Sequence, residues 1–198
     1  VFTMTRDQFA TDIDHARKTI EDTSGTRVLG YRAPSFSIDP RTPWAHEVLA
    51  EQGYAYSSSV APIKHDHYGW ADAPRFAFRP VKGSDFVEVP VTTAMLAGKR
   101  LAAGGGGFFR ILPYAFSRWA VAQVNQADKR PAIIYFHPWE IDPGQPRVAN
   151  APIRSKLRHY TRLDAMAGKL ERLMRDFQWD RLDNIVAAEK AKMREMMQ

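Results

Sequence analysis

Phe9, Ile13, Ala16 and Ile20 recur at helical spacing behind Thr5-Arg6-Asp7-Gln8, and Ser24-Gly25 follows them. A Thr hydroxyl and a Gln amide three residues apart can each satisfy a free backbone N–H, so this pattern predicts an amphipathic helix opened by a capping box. Val28 to Tyr31 is a short apolar strand candidate. Proline disfavours both helix and central strand, which places Arg32-Ala33-Pro34-Ser35-Phe36 on a strand-end loop. Thr42-Pro43 opens a second helix whose apolar face holds Trp44, Val48 and Leu49 and which Gly53 ends. Tyr54 to Ser58 reads as a strand, Ser59 to Ser84 as a long loop without period, and Phe86 to Thr92 as an alternating strand. Gly104 to Gly107 reads as a flexible break.

Leu112-Pro113 opens a further helix through Trp119, Val121 and Val124. Ala132-Ile133-Ile134-Tyr135-Phe136 is an apolar run fit for a buried strand, which His137-Pro138 ends. Leu163, Met166, Leu170, Leu173, Met174 and Phe177 form the strongest helical stripe, read as core packing. Strands alternating with helices predict an α/β fold with a largely parallel sheet. Residues 1–182 read as one domain and 183–198 as a charged helical tail.

Composition narrows the chemistry. Of 198 residues, 44% are hydrophobic and 25% charged, the balance of a globular chain. There is no cysteine, which excludes disulfides and thiolate metal sites and leaves His, Asp and Glu as the available metal ligands. No apolar run reaches the roughly 20 residues that span a bilayer. The net charge of +6 permits attraction to anionic partners, but the basic residues are scattered. The densest basic segment, Arg154 to Arg162, reads as a solvated face, with phosphate contact as the alternative.

In parallel α/β folds, functional side chains gather at the C-terminal ends of strands. Two polar clusters fall there: Tyr31-Arg32-Ala33-Pro34 and His137-Pro138-Trp139-Glu140. An arginine can fix a carboxylate through paired hydrogen bonds and a histidine can exchange protons near neutral pH, so the clusters suggest acid–base chemistry in a cleft. The alternative is a strand-capping His137 and a surface Arg32. His65-Asp66-His67 offers two imidazoles and a carboxylate for a metal, or a solvated turn. His15 and His46 are expected as surface positions on helices.

Gly30-Tyr31-Arg32-Ala33-Pro34-Ser35-Phe36-Ser37-Ile38 resembles the R-x-P motif of the polysaccharide deacetylases (NodB-like, carbohydrate esterase family 4). Tyr135-Phe136-His137-Pro138-Trp139-Glu140 resembles that family's last motif, L-x-H, in the form of a bacterial branch associated with exopolysaccharide and exosortase systems. Ser57-Ser58-Ser59, Gly105-Gly106-Gly107 with Phe109-Arg110, Gln145-Pro146-Arg147 and Arg158-His159-Tyr160 fit the same branch in the same order, and the similarity runs from Val1 to about Val186.

The resemblance implies an α/β fold that is the C-terminal portion of a distorted (β/α) barrel, with a C-terminal helical extension. It implies a hydrolase that removes acetyl groups from an N-acetylated polysaccharide or oligosaccharide, using a divalent metal, most often zinc. It assigns His137 as the acid that protonates the leaving amine and Arg32 as the group that orients the base. Pro34, Phe36, Tyr135, Trp139, Glu140 and Arg110 then contact substrate. A bacterial enzyme of this type is expected in the cytoplasm or at the cell envelope, and its incomplete barrel as a possible homo-oligomer.

Two departures stand against activity in these residues alone. The T-F-D-D and H-x-x-x-H motifs that hold the base and the metal are expected before Thr5 and are absent, so Val1 is expected to lie inside a longer protein whose upstream part carries the metal. Ser57 stands where relatives carry Asp in a Y-D-S-S segment. A carbohydrate-binding module using Phe36, Trp70, Phe108, Phe109 and Trp139 to stack on sugars is the competing expectation, and nucleic-acid binding through the net charge a third.

Overall fold

The computed structural model describes residues 1–65 and 67–195. The chain divides into two compact units, residues 1–90 joined by the chain from Arg181 onward, and Val91–Asp180.

The first unit opens with helix α1 (Arg6–Ser24). Its start is the expected capping box: Gln8 N–H donates to the Thr5 hydroxyl at 3.2 Å, and Thr5 N–H to the Gln8 side chain at 2.9 Å. Gly25 ends it in the left-handed region at φ 64°, its N–H bonded to the Glu21 carbonyl. Only the first half of the apolar stripe is buried. Phe9 and Ile13 enter the core, whereas Ile20 is 52% exposed.

Three parallel strands follow, β1 (Gly30–Tyr31), β2 (Tyr56–Ser57) and β3 (Val87–Glu88), paired in that order. Each expected strand contains its observed one, but the paired ladder is only two residues long. Helix α2 (Ala45–Glu51) lies between β1 and β2 in sequence and adds Ala45, Val48 and Leu49 to the core. Gly30 is required by close approach, since a Cβ there would collide with the Tyr56 ring on the neighbouring strand. Phe9, Tyr31, Trp44 and Tyr54 meet edge to face at centroid separations of 5.7 to 5.9 Å. A helix near the C-terminus, α7 (Leu182–Glu195), buries Val186 and Glu189. Within this unit its Lys190 ammonium donates to the Ala55 carbonyl at 3.0 Å, and Arg194 pairs with Asp85 at 2.7 Å.

The second unit begins with a hairpin that the apolar pattern did not predict, β4 (Thr93–Leu96) antiparallel to β5 (Lys99–Ala102). Ala97 and Gly98 form its two-residue turn, both at positive φ (48° and 75°), the geometry that suits the twist of a tight hairpin. Gln123 clamps the hairpin by accepting from Met95 N–H at 2.7 Å and donating to Met95 O at 2.8 Å. Helices α3 (Gly106–Ile111), α4 (Tyr114–Ala122), α5 (Ile153–Tyr160) and α6 (Leu163–Asp176) complete the unit. Phe109, Tyr114, Val121, Met166 and Leu173 form its core, with Leu170 and Phe177 packed against it, so the α6 stripe packs as expected except at Met174, which is 54% exposed. The C-terminal carbonyls of α3 are satisfied from α6: the Lys169 ammonium donates to Arg110 O and Leu112 O, each at 2.7 Å. Burial there lowers the Lys169 pKa.

The run 132–136 is not a buried strand. It is half-buried up to Tyr135, Phe136 is 39% exposed, and its pairing is a single bridge between Gly105 and Tyr135. Ile133 bonds to Thr92 and Tyr135 to Gly104, so the segment is tied at alternate residues and develops no ladder. The apolar composition reflects one-sided packing against Val121 and its neighbours in the core. Nor are Gly104 to Gly107 a flexible break. Gly104 to Gly106 are buried, and Gly106 begins α3.

A Cβ at Gly104 would lie 2.5 Å from the Ile133 carbonyl oxygen and 2.8 Å from Thr92 N, both backbone atoms, whereas a Cβ at Gly107 meets nothing. Gly104→Ala is expected to destabilise by about 1–3 kcal/mol. Gly107→Ala, inside α3, is expected to be neutral or to stabilise by up to about 1 kcal/mol. Urea unfolding of the two variants against the parent checks the contrast, and equal stabilities would remove the close-packing account of Gly104.

Candidate functional site

In the first unit the Arg32-Ala33-Pro34 segment leaves the end of β1 and turns through Pro34–Phe36. Ser35 and Phe36 both hold positive φ (54° and 49°), an unfavourable conformation for residues with side chains. Such strain persists only where the surroundings impose it, and here a buried polar network does so. The Glu88 carboxylate, on β3 and wholly inaccessible, accepts through Oε1 from Ser59 N–H and Val60 N–H, each at 2.8 Å. Its Oε2 faces His46 Nε2 at 3.1 Å. With the backbone at Ser59 fixed, the Ser59 hydroxyl accepts from Ala33 N–H at 2.8 Å. The adjacent Ser58 hydroxyl accepts from Arg32 Nη2 at 2.7 Å and donates to Val89 O at 2.6 Å. Arg32 is therefore held at the strand end by the serine segment of the neighbouring strand, and its guanidinium lies 5.5 Å from the Phe36 ring centre.

In the second unit His137 enters a 3-10 turn, Pro138–Ile141. The Glu140 carboxylate fixes that entry, accepting from His137 N–H at 3.0 Å. A Cβ on Gly106 would overlap this carboxylate, which is the physical requirement for glycine there. The Arg110 guanidinium, 1% exposed, pairs with Glu140 across 3.6 Å, lies 5.3 Å from the Trp139 ring, and donates to the Arg158 carbonyl at 2.5 Å. Burial lowers the Arg110 pKa and Glu140 opposes the shift. Trp139 stacks between neighbours in sequence and space: His137 at 5.7 Å with planes 10° apart, and His159 at 4.1 Å with planes 15° apart. The His137 ring itself is exposed, and the Tyr135 ring meets it edge to face at a centroid separation of 6.1 Å.

The candidate residues thus form two groups, Arg32, Pro34 and Phe36 in the first unit, and Arg110, Tyr135, His137, Trp139 and Glu140 in the second. Glu140 and Arg110 are buried at 2% and 1% exposure, and their visible contacts are with protein groups that hold the turn. Phe36 is also buried and packs beside Tyr68. Phe109 is corrected as a stacking platform, because it belongs to the core of the second unit. Phe108, next to it, is 48% exposed.

His46 is corrected from a surface position to a buried one, at 2% exposure. The signal was in its surroundings, Ala45, Val48 and Leu49 on the same short helix, and in the single carboxylate inside the apolar run Phe86 to Val91. His15 is exposed as expected. His65 stacks on Tyr68 at 4.1 Å and its Nδ1 accepts from His67 N–H, while Asp66 of the same triplet lies outside the described residues. Among the described residues no three or more His, Asp or Glu side chains converge as a metal site, so they do not by themselves fit a bound metal. Ser57, where an aspartate was the expected residue, is buried and donates to the Ser59 hydroxyl at 2.7 Å.

A profile of a family described as a domain of unknown function, DUF3473, matches residues 58–187. The chain belongs to that family. Its fold is also like the crystal structure titled "putative polysaccharide deacetylase from Mycobacterium smegmatis", with a TM-score of 0.54 at 18% identity over 96% of this chain. The chain spans 58% of that structure's length. At this identity the likeness establishes a shared fold, mixed α/β with small sheets. No curated protein matches. Among the described residues no helix is long and apolar enough to cross a membrane.

Removing the Glu88 carboxylate leaves two buried amides and a buried imidazole without their acceptor. Glu88→Ala is expected to cost about 3–5 kcal/mol. Glu88→Gln keeps an oxygen for Ser59 and Val60 and is expected to cost less than half of that. Thermal unfolding of both variants checks the order; an alanine variant as stable as the glutamine variant would show that the two amide bonds carry no weight.

Proposed function

We propose that the chain is part of a polysaccharide deacetylase, a hydrolase that releases acetate from N-acetylated glycans. The observation that carries this reading is Arg32 of an Arg-x-Pro turn, fixed at the end of a parallel strand by the Ser58 hydroxyl, in a fold like that of the mycobacterial protein. In this reading Arg32 orients the carboxylate that accepts the proton of the attacking water. His137, exposed and held at the mouth of its turn by Glu140, gives a proton to the amine nitrogen as the carbon–nitrogen bond breaks. The neutral amine leaves and acetate is the second product.

The proposal extends to the distorted barrel of the family, to an exopolysaccharide as the substrate and to a divalent metal, zinc by the resemblance. Because the described residues do not fit a metal, the proposal assigns its ligands to other parts of a longer protein. A carbohydrate-binding role without catalysis is the second reading, favoured by the aromatic cluster around Trp139.

The test is acetate release from N-acetylated oligosaccharides, with divalent metal supplied, by protein expressed together with the sequence upstream of Val1. Acetate is expected from the longer protein and none from the 198 residues alone. His137→Ala is expected to lower kcat by about 100-fold or more. No acetate from any N-acetylated glycan, or a His137→Ala variant of full activity, would sink the enzyme reading.

A further inference from the structure

Beside the His137 turn the second unit holds a cavity of about 390 Å³, within the size range of small-ligand sites. Trp139, His159 and Tyr160 form its aromatic wall, and Ser155, Lys156 and Arg158 its polar side. A depression of about 440 Å³ shares Lys156 and Tyr160 with it and adds Arg147, whose guanidinium lies 4.9 Å from the Tyr160 ring. Among the described residues no acidic side chain lines either one. The basic segment singled out in the sequence as a solvated face is therefore the charged side of a concave surface, and α5, which buries none of its residues, is the element that presents it.

The wall is rigidly built. Gln145 Nε2 donates to Trp139 O at 2.7 Å and to Asp142 O at 3.0 Å, so its Oε1 is the acceptor that meets His159 Nε2 at 2.7 Å. This assigns a proton to His159 Nε2, which donates to Gln145. Tyr160 Oη bonds to Val148 N–H and Pro146 O, tying α5 to the 146–148 loop. Arg110, from beneath Trp139, holds the C-terminal end of α5 through the Arg158 carbonyl.

We propose that this cavity is a subsite for a sugar residue that carries a carboxylate, so that the glycan recognised is acidic. Aromatic ring faces suit the C–H face of a pyranose ring, the Ser155 hydroxyl and His159 suit its hydroxyls, and Lys156 and Arg158 suit the carboxylate. The assignment deepens the deacetylase reading by naming the substrate class, and it rests on that reading for the word substrate. Binding itself does not depend on turnover.

The experiment is calorimetric titration of the 198-residue chain with three probes: a hexamer of galacturonic acid, a hexamer of N-acetylglucosamine, and polyglutamate of matching charge. The uronate hexamer is expected to bind at least about tenfold more tightly than either of the others, with affinity falling as salt is raised. The double variant Lys156→Glu, Arg158→Glu is expected to weaken uronate binding by about tenfold or more. A control pair on α1 and α6, Lys18→Glu with Arg175→Glu, makes the same change in net charge and is expected to leave affinity within about twofold. Equal binding of the neutral hexamer, equal binding of polyglutamate, or equal losses in the two double variants would overturn the subsite, as would binding to anionic vesicles that needs the same two residues. Acidic-glycan binding without acetate release would keep the subsite and lose the enzyme; acetate release from neutral glycans without uronate binding would do the reverse.

Discussion

The Glu88 carboxylate, shut off from water, is what the first unit is built around. Burying an unpaired charge costs several kcal/mol, so the residue is tolerable only because two backbone amides and an imidazole converge on it. Those partners come from α2 and from the chain just after β2. One side chain thus ties together elements separated by 42 and 28 residues in sequence. In a sheet whose strands pair over two residues each, the backbone ladder supplies little of the order, which comes from the apolar core around Phe9 and Leu49 and from this side-chain network. The consequence reaches Arg32 through two serine hydroxyls. A strained turn that would relax in isolation is held in one conformation, with its guanidinium at the strand end.

The second unit reaches the same end by different means. Its anchor is the pairing of Glu140 with the His137 amide and with Arg110, an arginine almost wholly buried. Gly106 lets the carboxylate approach, and Arg110 passes beneath Trp139 to hold α5. The imidazole that the proposed chemistry needs is left exposed while everything around it is fixed, which is the arrangement that preserves reach without losing orientation. The same packing sets the aromatic wall of the adjoining cavity. Catalytic and recognition roles proposed for this unit therefore share one scaffold.

Patterning along the chain was sufficient for α1 and for most of α6, but not for α3, whose start it read as a flexible break. The capping box at Thr5, the Gly25 stop and the α6 stripe all depend on neighbours within a turn or two, and the structure has them where the spacing places them, with Met174 of the stripe left exposed. It was also sufficient for the Arg32 and His137 turns, because proline fixes where a strand can no longer continue. It misjudged 132–136, where an apolar run packs on one face without laddering, and overlooked the 93–102 hairpin, whose signal is a mere Ala-Gly pair.

What the sequence alone determined, then, is the set of locally encoded elements, the two polar turns and the family likeness of their residues. Tertiary structure decided which polar groups are inside. His46 and Glu88 look like ordinary helix and strand positions until they meet, Arg110 and Glu140 look like contact residues until both prove buried, and the glycines of 104–106 look flexible until the Ile133 carbonyl, the Tyr135 ring and the Glu140 carboxylate crowd them. Each of these depends on partners distant in sequence, as for Gly104 with Ile133 and for Arg110 with Arg158. Periodicity reports a residue's face on its own element, whereas burial and charge pairing depend on what the folded chain brings against that face.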